Sequence, residues 1–335
     1  MEKRGAVPEA NPDPRGEVGP GPVSALASPP SPTSGRSDAS TSFWLDLFEM
    51  GKPRLSSLVL FTVLAGILLA WIETGRGHIS AIPPLLVFHT LLGVMLAAYG
   101  CAALNQLLEC ESDKKMERTK NRPLPAGRLT RKQVLIYGLL CATLGSFEVT
   151  WFAGALPGAL TALTVFLYVV VYTPLKRRTS MNTLVGAITG ATPPLIGWAA
   201  IEGRLSAGAW ILFAILYVWQ LPHFFAIALF YKEDYGRAGI RMLSTEDGDG
   251  RLTLGQITIF LLTMLPVSLL PYLEGMAGEI YLIVALILGL AFLGFGLYLL
   301  QARTRGAARR LFLASILYLP ILLGVLVLDA FQLKG

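Results

Sequence analysis

Charge is what this sequence has least of. Only 15% of its 335 residues are Asp, Glu, Lys or Arg, where soluble domains carry about 25%. With 53% hydrophobic residues and a mean hydropathy of +0.57, the chain reads as a membrane protein. Cysteine and histidine are scarce too. The three cysteines, Cys101, Cys110 and Cys141, lack the paired spacing of a zinc site and read as small apolar filler. Three histidines are too few and too scattered for a histidine metal site, and His89 reads as structural. The net charge of +6 is modest and confined to particular loops. It speaks to topology, with no nucleic-acid partner.

What is present is a long series of apolar runs. Residues 1–42 come first, rich in Pro, Gly, Ser and Ala without apolar periodicity, and read as a disordered tail. Glu2, Glu9, Asp13, Glu17 and Asp38 argue against a mitochondrial transit peptide, and no cleavable signal peptide is visible. Phe43 to Lys52 reads as a short interfacial helix with Phe43, Trp44, Leu47 and Phe48 on its apolar face. Nine segments long enough to span a bilayer follow, near 55–72, 83–108, 132–152, 157–174, 182–201, 207–230, 253–273, 279–300 and 311–331. Together, residues 43–335 read as one membrane domain.

The connections alternate in charge. Cations crowd the loops after the second, fourth, sixth and eighth segments, while the opposite loops hold only Arg76 and Arg204. That asymmetry predicts a cytoplasmic N-terminus and an external C-terminus. Two of the cationic connections, 109–131 and 231–252, are long enough to suggest function.

The end of the second segment asks for its own explanation. Asn105, Glu109 and Asp113 are spaced i, i+4, i+8, one helical stripe drifting about 40° per step. A carboxylate at membrane depth costs about 2.5–3.5 kcal/mol or more, so it marks a functional site by default. Oxygen ligands in such a stripe suit Mg²⁺, which takes one or two carboxylates plus substrate phosphate oxygens. Arg118, Lys120 and Arg122 follow within reach of an anion held there. A topogenic loop would account for these cations, but not for the acidic stripe.

Further along, Lys176 and Arg177 follow the helix-breaking Tyr172-Thr173-Pro174. They read either as a topogenic cluster or as a diphosphate clamp with Asn182 at the same mouth. Gly186, Gly190 and Gly197 read as close-packing positions, and Pro193-Pro194 as a helix break. Trp219-Gln220-Leu221-Pro222-His223-Phe224-Phe225 sets polar groups and aromatics inside an apolar segment. His223 reads either as a hydrogen-bonded structural group or as lining a cavity with them.

These residues resemble the protohaem IX farnesyltransferases (haem O synthases), a branch of the UbiA-type intramembrane prenyltransferases. The likeness rests on Met116-Glu117-Arg118-Thr119-Lys120-Asn121-Arg122-Pro123, on Tyr172 to Arg177 with Asn182 through Trp198, and on Trp219 to Phe224 with Lys232, Asp234 and Tyr235. Glu109 and Glu111 stand where that family often has aspartates. The resemblance implies an all-α membrane protein, nine transmembrane helices around a central cavity opening to the cytoplasmic side of an inner membrane. It implies transfer of a farnesyl group from farnesyl diphosphate to the C2 vinyl of haem B, giving haem O for a downstream haem A synthase or oxidase assembly. Asn105, Glu109, Asp113, Arg118, Lys120 and Arg122 would then be catalytic. Lys176, Arg177, Asn182, Trp219, Gln220, His223, Lys232, Asp234 and Tyr235 would bind substrate, with Mg²⁺ on Glu109, Asp113 and Asp234. A sister prenyltransferase with a quinone or chlorin acceptor would share the diphosphate site. A transporter, the remaining reading, would carry its polar groups at the midplane instead.

Overall fold

A computed structural model of the chain describes residues 36–75 and 78–334. Most of the expected disordered tail, residues 1–35, lies outside the described residues. Every regular element described is a helix. In chain order they are α1 (Arg36–Met50), α2 (Pro53–Glu73), α3 (Pro84–Asp113), α4 (Arg131–Ala153) and α5 (Ala155–Phe166). Next come the short α6 (Thr173–Leu175), α7 (Asn182–Ala191), α8 (Pro193–Glu202) and α9 (Ala207–Phe230). The chain continues with α10 (Lys232–Ala238), α11 (Leu243–Glu246), α12 (Arg251–Leu273), α13 (Glu279–Ala302) and α14 (Arg305–Lys334). A π-helical stretch, Leu167–Tyr172, joins α5 to α6, so these act as one span.

Among the described residues nine helical spans are long and apolar enough to cross a membrane, and they coincide with the nine segments expected from hydropathy. The one consequential difference is α3, which continues as helix past 108 to Asp113. No helix-breaking residue intervenes, so Asn105, Glu109 and Asp113 share one unbroken helix. The connection after it is correspondingly shorter. The 231–252 connection is not a plain loop, because it folds into α10 and α11.

The spans differ in what they meet. Residues Pro193–Ile201 of α8 are all buried. On α4, Leu139, Phe147 and Trp151 are exposed, as are Ile283 and Leu290 of α13. Apolar side chains on an outer face suit lipid, which needs no polar covering. Pro193-Pro194 does break the helix, separating α7 from α8 at Thr192, whereas α9 runs unbroken through Pro222.

Small residues let backbones approach where lipid offers no hydrophobic drive. A Cβ on Gly197 of α8 would stand 2.1 Å from the Val63 carbonyl oxygen of α2, and one on Gly145 of α4 would stand 2.4 Å from that of Gly93 on α3. Gly197 therefore packs helix on helix as expected. Gly186 and Gly190 do something else: they face the Tyr172 ring and the Gln220 amide.

The amphipathic α1 starts seven residues before Phe43 and lies against the bundle. Leu47 and Met50 are buried with Ala103, Cys110, Leu124 and Val134, while Trp44, Leu45 and Phe48 point outward. The expected apolar face is thus split between protein and surroundings, as an interfacial helix requires. Arg128 fastens it, donating to Asp46 and to Glu49, each at 2.8 Å.

Gly197→Ala should lower the melting temperature of the purified protein, because overpacking against a backbone costs about 1–3 kcal/mol. Gly294→Ala is the control, since a Cβ there meets nothing within 4 Å. Equal melting of both variants would contradict the packing account.

Candidate active site

The C-terminal end of α3 carries its polar stripe into the protein, where Asn105, Glu109 and Asp113 are all buried. Buried charge must be balanced, and each carboxylate has its own cation. Lys176, just past α6, places its ammonium 2.8 Å from Glu109 Oε1. Arg122, in the α3–α4 connection, donates to Asp113 Oδ2 at 2.8 Å. Asn105 donates to Thr173 Oγ1 at 3.1 Å, tying α3 to α6. The loop closes on the helix end through Thr119, whose hydroxyl donates to the Asp113 carbonyl.

The π-helical stretch before α6 has a local cause and a consequence. The Thr173 hydroxyl donates to the Tyr168 carbonyl, supporting the widened turn. Downstream, Lys176 Nζ lies 4.5 Å above the Tyr172 ring. Burial works against the Lys176 charge, but Tyr172 and Glu109 beside it raise its pKa above the ordinary lysine range.

Three connections are knitted over this end. Arg118 donates to the Tyr235 hydroxyl and stacks over the Tyr231 and Tyr235 rings. Met116 is buried against Ala228, Ala238, Ile240 and Met242. Asn182 donates to the Arg241 carbonyl at 2.7 Å, and the Arg241 N–H donates to the Lys176 carbonyl at 2.8 Å.

Beneath lies a cavity of about 430 Å³. Its polar part is lined by Asn105, Glu109, Asp113, Arg118, Arg122, Lys176, Asn182 and Tyr235. Tyr168 and Tyr172 also line it, and so do Val94, Ala98 and Leu216, with Trp219, Gln220, His223 and Phe224. His223 Nδ1 and Ser315 Oγ are 2.7 Å apart, and the Trp219 indole donates to the Ser315 carbonyl at 2.9 Å. Gln220 donates to the Leu216 carbonyl at 2.9 Å.

Four expected residues are not brought to this cavity. Lys120 pairs with Glu117 on the surface. Arg177 donates to Ser112 Oγ, on α3. Lys232 donates to the Asp247 carbonyl, and Asp234 is occupied by Arg237. Accordingly Glu109, Asp113 and Asp234 do not gather, and among the described residues no three His, Cys, Asp or Glu side chains group to hold a metal by themselves. The donor set still fits Mg²⁺ shared with a phosphate ligand, because Asp113 Oδ1 is buried without a hydrogen-bond partner.

Sequence reasoning missed Lys52 and Tyr168, both on the cavity wall. Lys52 directly precedes Pro53 at the start of a membrane span, where a lysine passes for a topogenic charge. The legible signal was its place one residue before the span's first proline. Tyr168 falls one turn before Tyr172 inside an apolar run and carries no mark of its own.

The UbiA prenyltransferase family model matches residues 59–319. A protoheme IX farnesyltransferase of Solibacter usitatus is 44% identical over 85% of this chain and 98% of its own length. One of Myxococcus xanthus is 41% identical over 85% and 94%. Among solved structures, a digeranylgeranylglyceryl phosphate synthase superposes with TM-score 0.71 at 17% identity, covering 88% of this chain and all of that one. An Archaeoglobus fulgidus UbiA homologue bound to GPP and Mg²⁺ gives 0.61 at 12%, covering 86% and 99%. At those identities the structures speak to the shared fold.

Breaking one of the buried pairs should cost stability before any chemistry is considered. Lys176→Met leaves Glu109 charged and alone, a loss of about 3 kcal/mol or more. Adding Glu109→Gln should restore most of it. Thermal unfolding of the two variants decides, and a double variant no more stable than the single would contradict the pairing.

Proposed function

This chain belongs to the UbiA prenyltransferase family, in its protohaem IX farnesyltransferase branch, and on that premise we propose that it farnesylates the C2 vinyl group of haem B to give haem O. The observation that carries this reading is the cavity itself: buried carboxylates and cations at one end, aromatics and aliphatics through the rest. Both substrates partition into lipid, so a site between membrane helices is where they would meet.

The reaction requires the C1–O bond of farnesyl diphosphate to break, its electron pair leaving on the diphosphate. Lys176 and Arg122 neutralise that charge where it develops. Glu109 and Asp113 would hold Mg²⁺, which when bound adds further charge neutralisation on the departing oxygens. Tyr168 and Tyr172 present aromatic faces that shelter an allylic cation. The buried wall excludes water that would quench it. The haem vinyl supplies the π electrons for the new C–C bond, and water then adds to the resulting cation with loss of a proton. Trp219, His223 and Phe224 form the part of the wall suited to a flat porphyrin.

The charge asymmetry of the connections supports an inner-membrane protein with its N-terminus and diphosphate end in the cytoplasm, where farnesyl diphosphate would enter. Its product would pass to a haem A synthase or an oxidase assembly.

Haem O should accumulate in membranes of a host lacking its own synthase once this chain is expressed. Asp113→Asn, which keeps a hydrogen-bonding side chain beside Arg122, or EDTA with the unaltered protein, should abolish turnover while the protein remains folded. Full turnover in both would refute metal-assisted departure.

His223→Gln should weaken haem binding while farnesyl diphosphate affinity is kept, because the Nδ1 contact with Ser315 leaves Nε2 for the porphyrin. A changed haem absorption spectrum identifies iron ligation, and an unchanged one a propionate contact. Unaltered haem affinity would reduce His223 to a structural group.

A further inference from the structure

Four cations line the cavity: Lys52, Arg118, Arg122 and Lys176, against the carboxylates Glu109 and Asp113. Three of the four are engaged. Arg122 holds Asp113, Lys176 holds Glu109, and Arg118 holds the Tyr235 hydroxyl. Among the described residues the Lys52 ammonium has neither a hydrogen bond nor an ion pair.

Its backbone makes that idleness informative. Lys52 has φ 50° and ψ 63°, the left-handed region. Of the nine described residues with positive φ, seven are glycine. A lysine there carries a local cost that persists only where the surroundings impose it, and such residues cluster at functional sites.

The surroundings do impose it. Gln106, on the same helix as the acidic stripe, donates to the Met50 carbonyl at 2.9 Å. The Ser56 hydroxyl donates to the Gly51 carbonyl at 2.8 Å. The Tyr99 ring lies so close to Gly51 that a Cβ would stand 2.4 Å away. Together these clamp the α1–α2 joint and carry the Lys52 side chain into the cavity. Burial, then the positive charges of Arg122 and Lys176, push its pKa down to about 7, with Glu109 and Asp113 offsetting only part. With four cations on its wall against two carboxylates, the cavity is short of negative charge, and an incoming anion would favour the charged form of Lys52.

We propose that Lys52 is a diphosphate-binding residue, its ammonium donating to the leaving group from the α1–α2 joint while Lys176 and Arg122 hold it from their own connections. This rests on the prenyl-transfer reading. It assigns the joint a purpose, since the strained turn exists to deliver this one side chain. The acidic stripe and the joint are then one device: Gln106, one residue after Asn105, sets the turn that places Lys52.

The test uses the full-length purified protein and farnesyl thiodiphosphate, a poorly reacting analogue. Lys52→Gly relieves the left-handed backbone and removes the ammonium. Lys52→Asn, also at ease in that conformation, serves the same comparison should the glycine variant fail to fold. The expected result is a melting temperature no lower than that of the unaltered protein, analogue affinity weaker by about ten-fold or more, and unchanged haem affinity. Lys52→Arg, which keeps the charge, should recover most of the affinity. Analogue affinity within two-fold of the unaltered protein in the glycine or asparagine variant would overturn the assignment. Failure of the unaltered protein to bind the analogue at all would instead refute the prenyl-transfer reading.

Discussion

Two carboxylates buried at the C-terminal end of one membrane helix set the terms for the rest of this structure. Glu109 and Asp113 cannot stay charged there without partners, and lipid supplies none. Each is met by a cation from a different connection, Lys176 and Arg122. Those connections must therefore fold back over α3, and the second long connection closes on them through Met116, Tyr235 and Arg241. The roof over the cavity follows from charge balance at the helix end. Buried pairs of this kind are poor sources of stability, which suggests they are kept for what they bind.

The same arrangement explains how one site serves two incompatible needs. A departing diphosphate needs concentrated positive charge, and an allylic cation needs a dry aromatic wall. The stretch from Tyr168 to Lys176 supplies both kinds of group, and they meet where the Lys176 ammonium lies over the Tyr172 ring. The π-helical stretch turns Tyr168 and Tyr172 into the cavity, and Lys176 follows one turn later. Gly186 and Gly190 leave room on α7 for the Tyr172 ring and the Gln220 amide, so the wall keeps its shape without a gap in packing.

Much of this was legible in the sequence, for reasons that differ by element. The nine spans could be read because hydropathy needs only length and composition. The stripe Asn105, Glu109, Asp113 could be read because a helix repeats every 3.6 residues and charge in an apolar run has no idle explanation. What failed to show was pairing across connections. Arg118, Lys120 and Arg122 look alike in sequence, yet Arg118 and Arg122 enter the cavity while Lys120 turns out to Glu117. Asp234 was expected beside the other carboxylates, and its position in the first turn of α10 gives it to Arg237 instead. Lys52 was passed over because a lysine before the proline that opens a span reads as a topogenic charge, and the left-handed backbone that turns it inward does not show in a residue pattern.

On this reading a prenyl diphosphate and its metal sit at the C-terminal end of α3, against Lys176 and Arg122. The most direct measurement is a structure of the protein with farnesyl thiodiphosphate and Mn²⁺ in place of Mg²⁺, with the metal located by anomalous scattering. The account predicts a manganese peak at Glu109 and Asp113 and diphosphate oxygens against Lys176 and Arg122. A diphosphate seated elsewhere in the bundle, or a manganese peak away from both carboxylates, would contradict it.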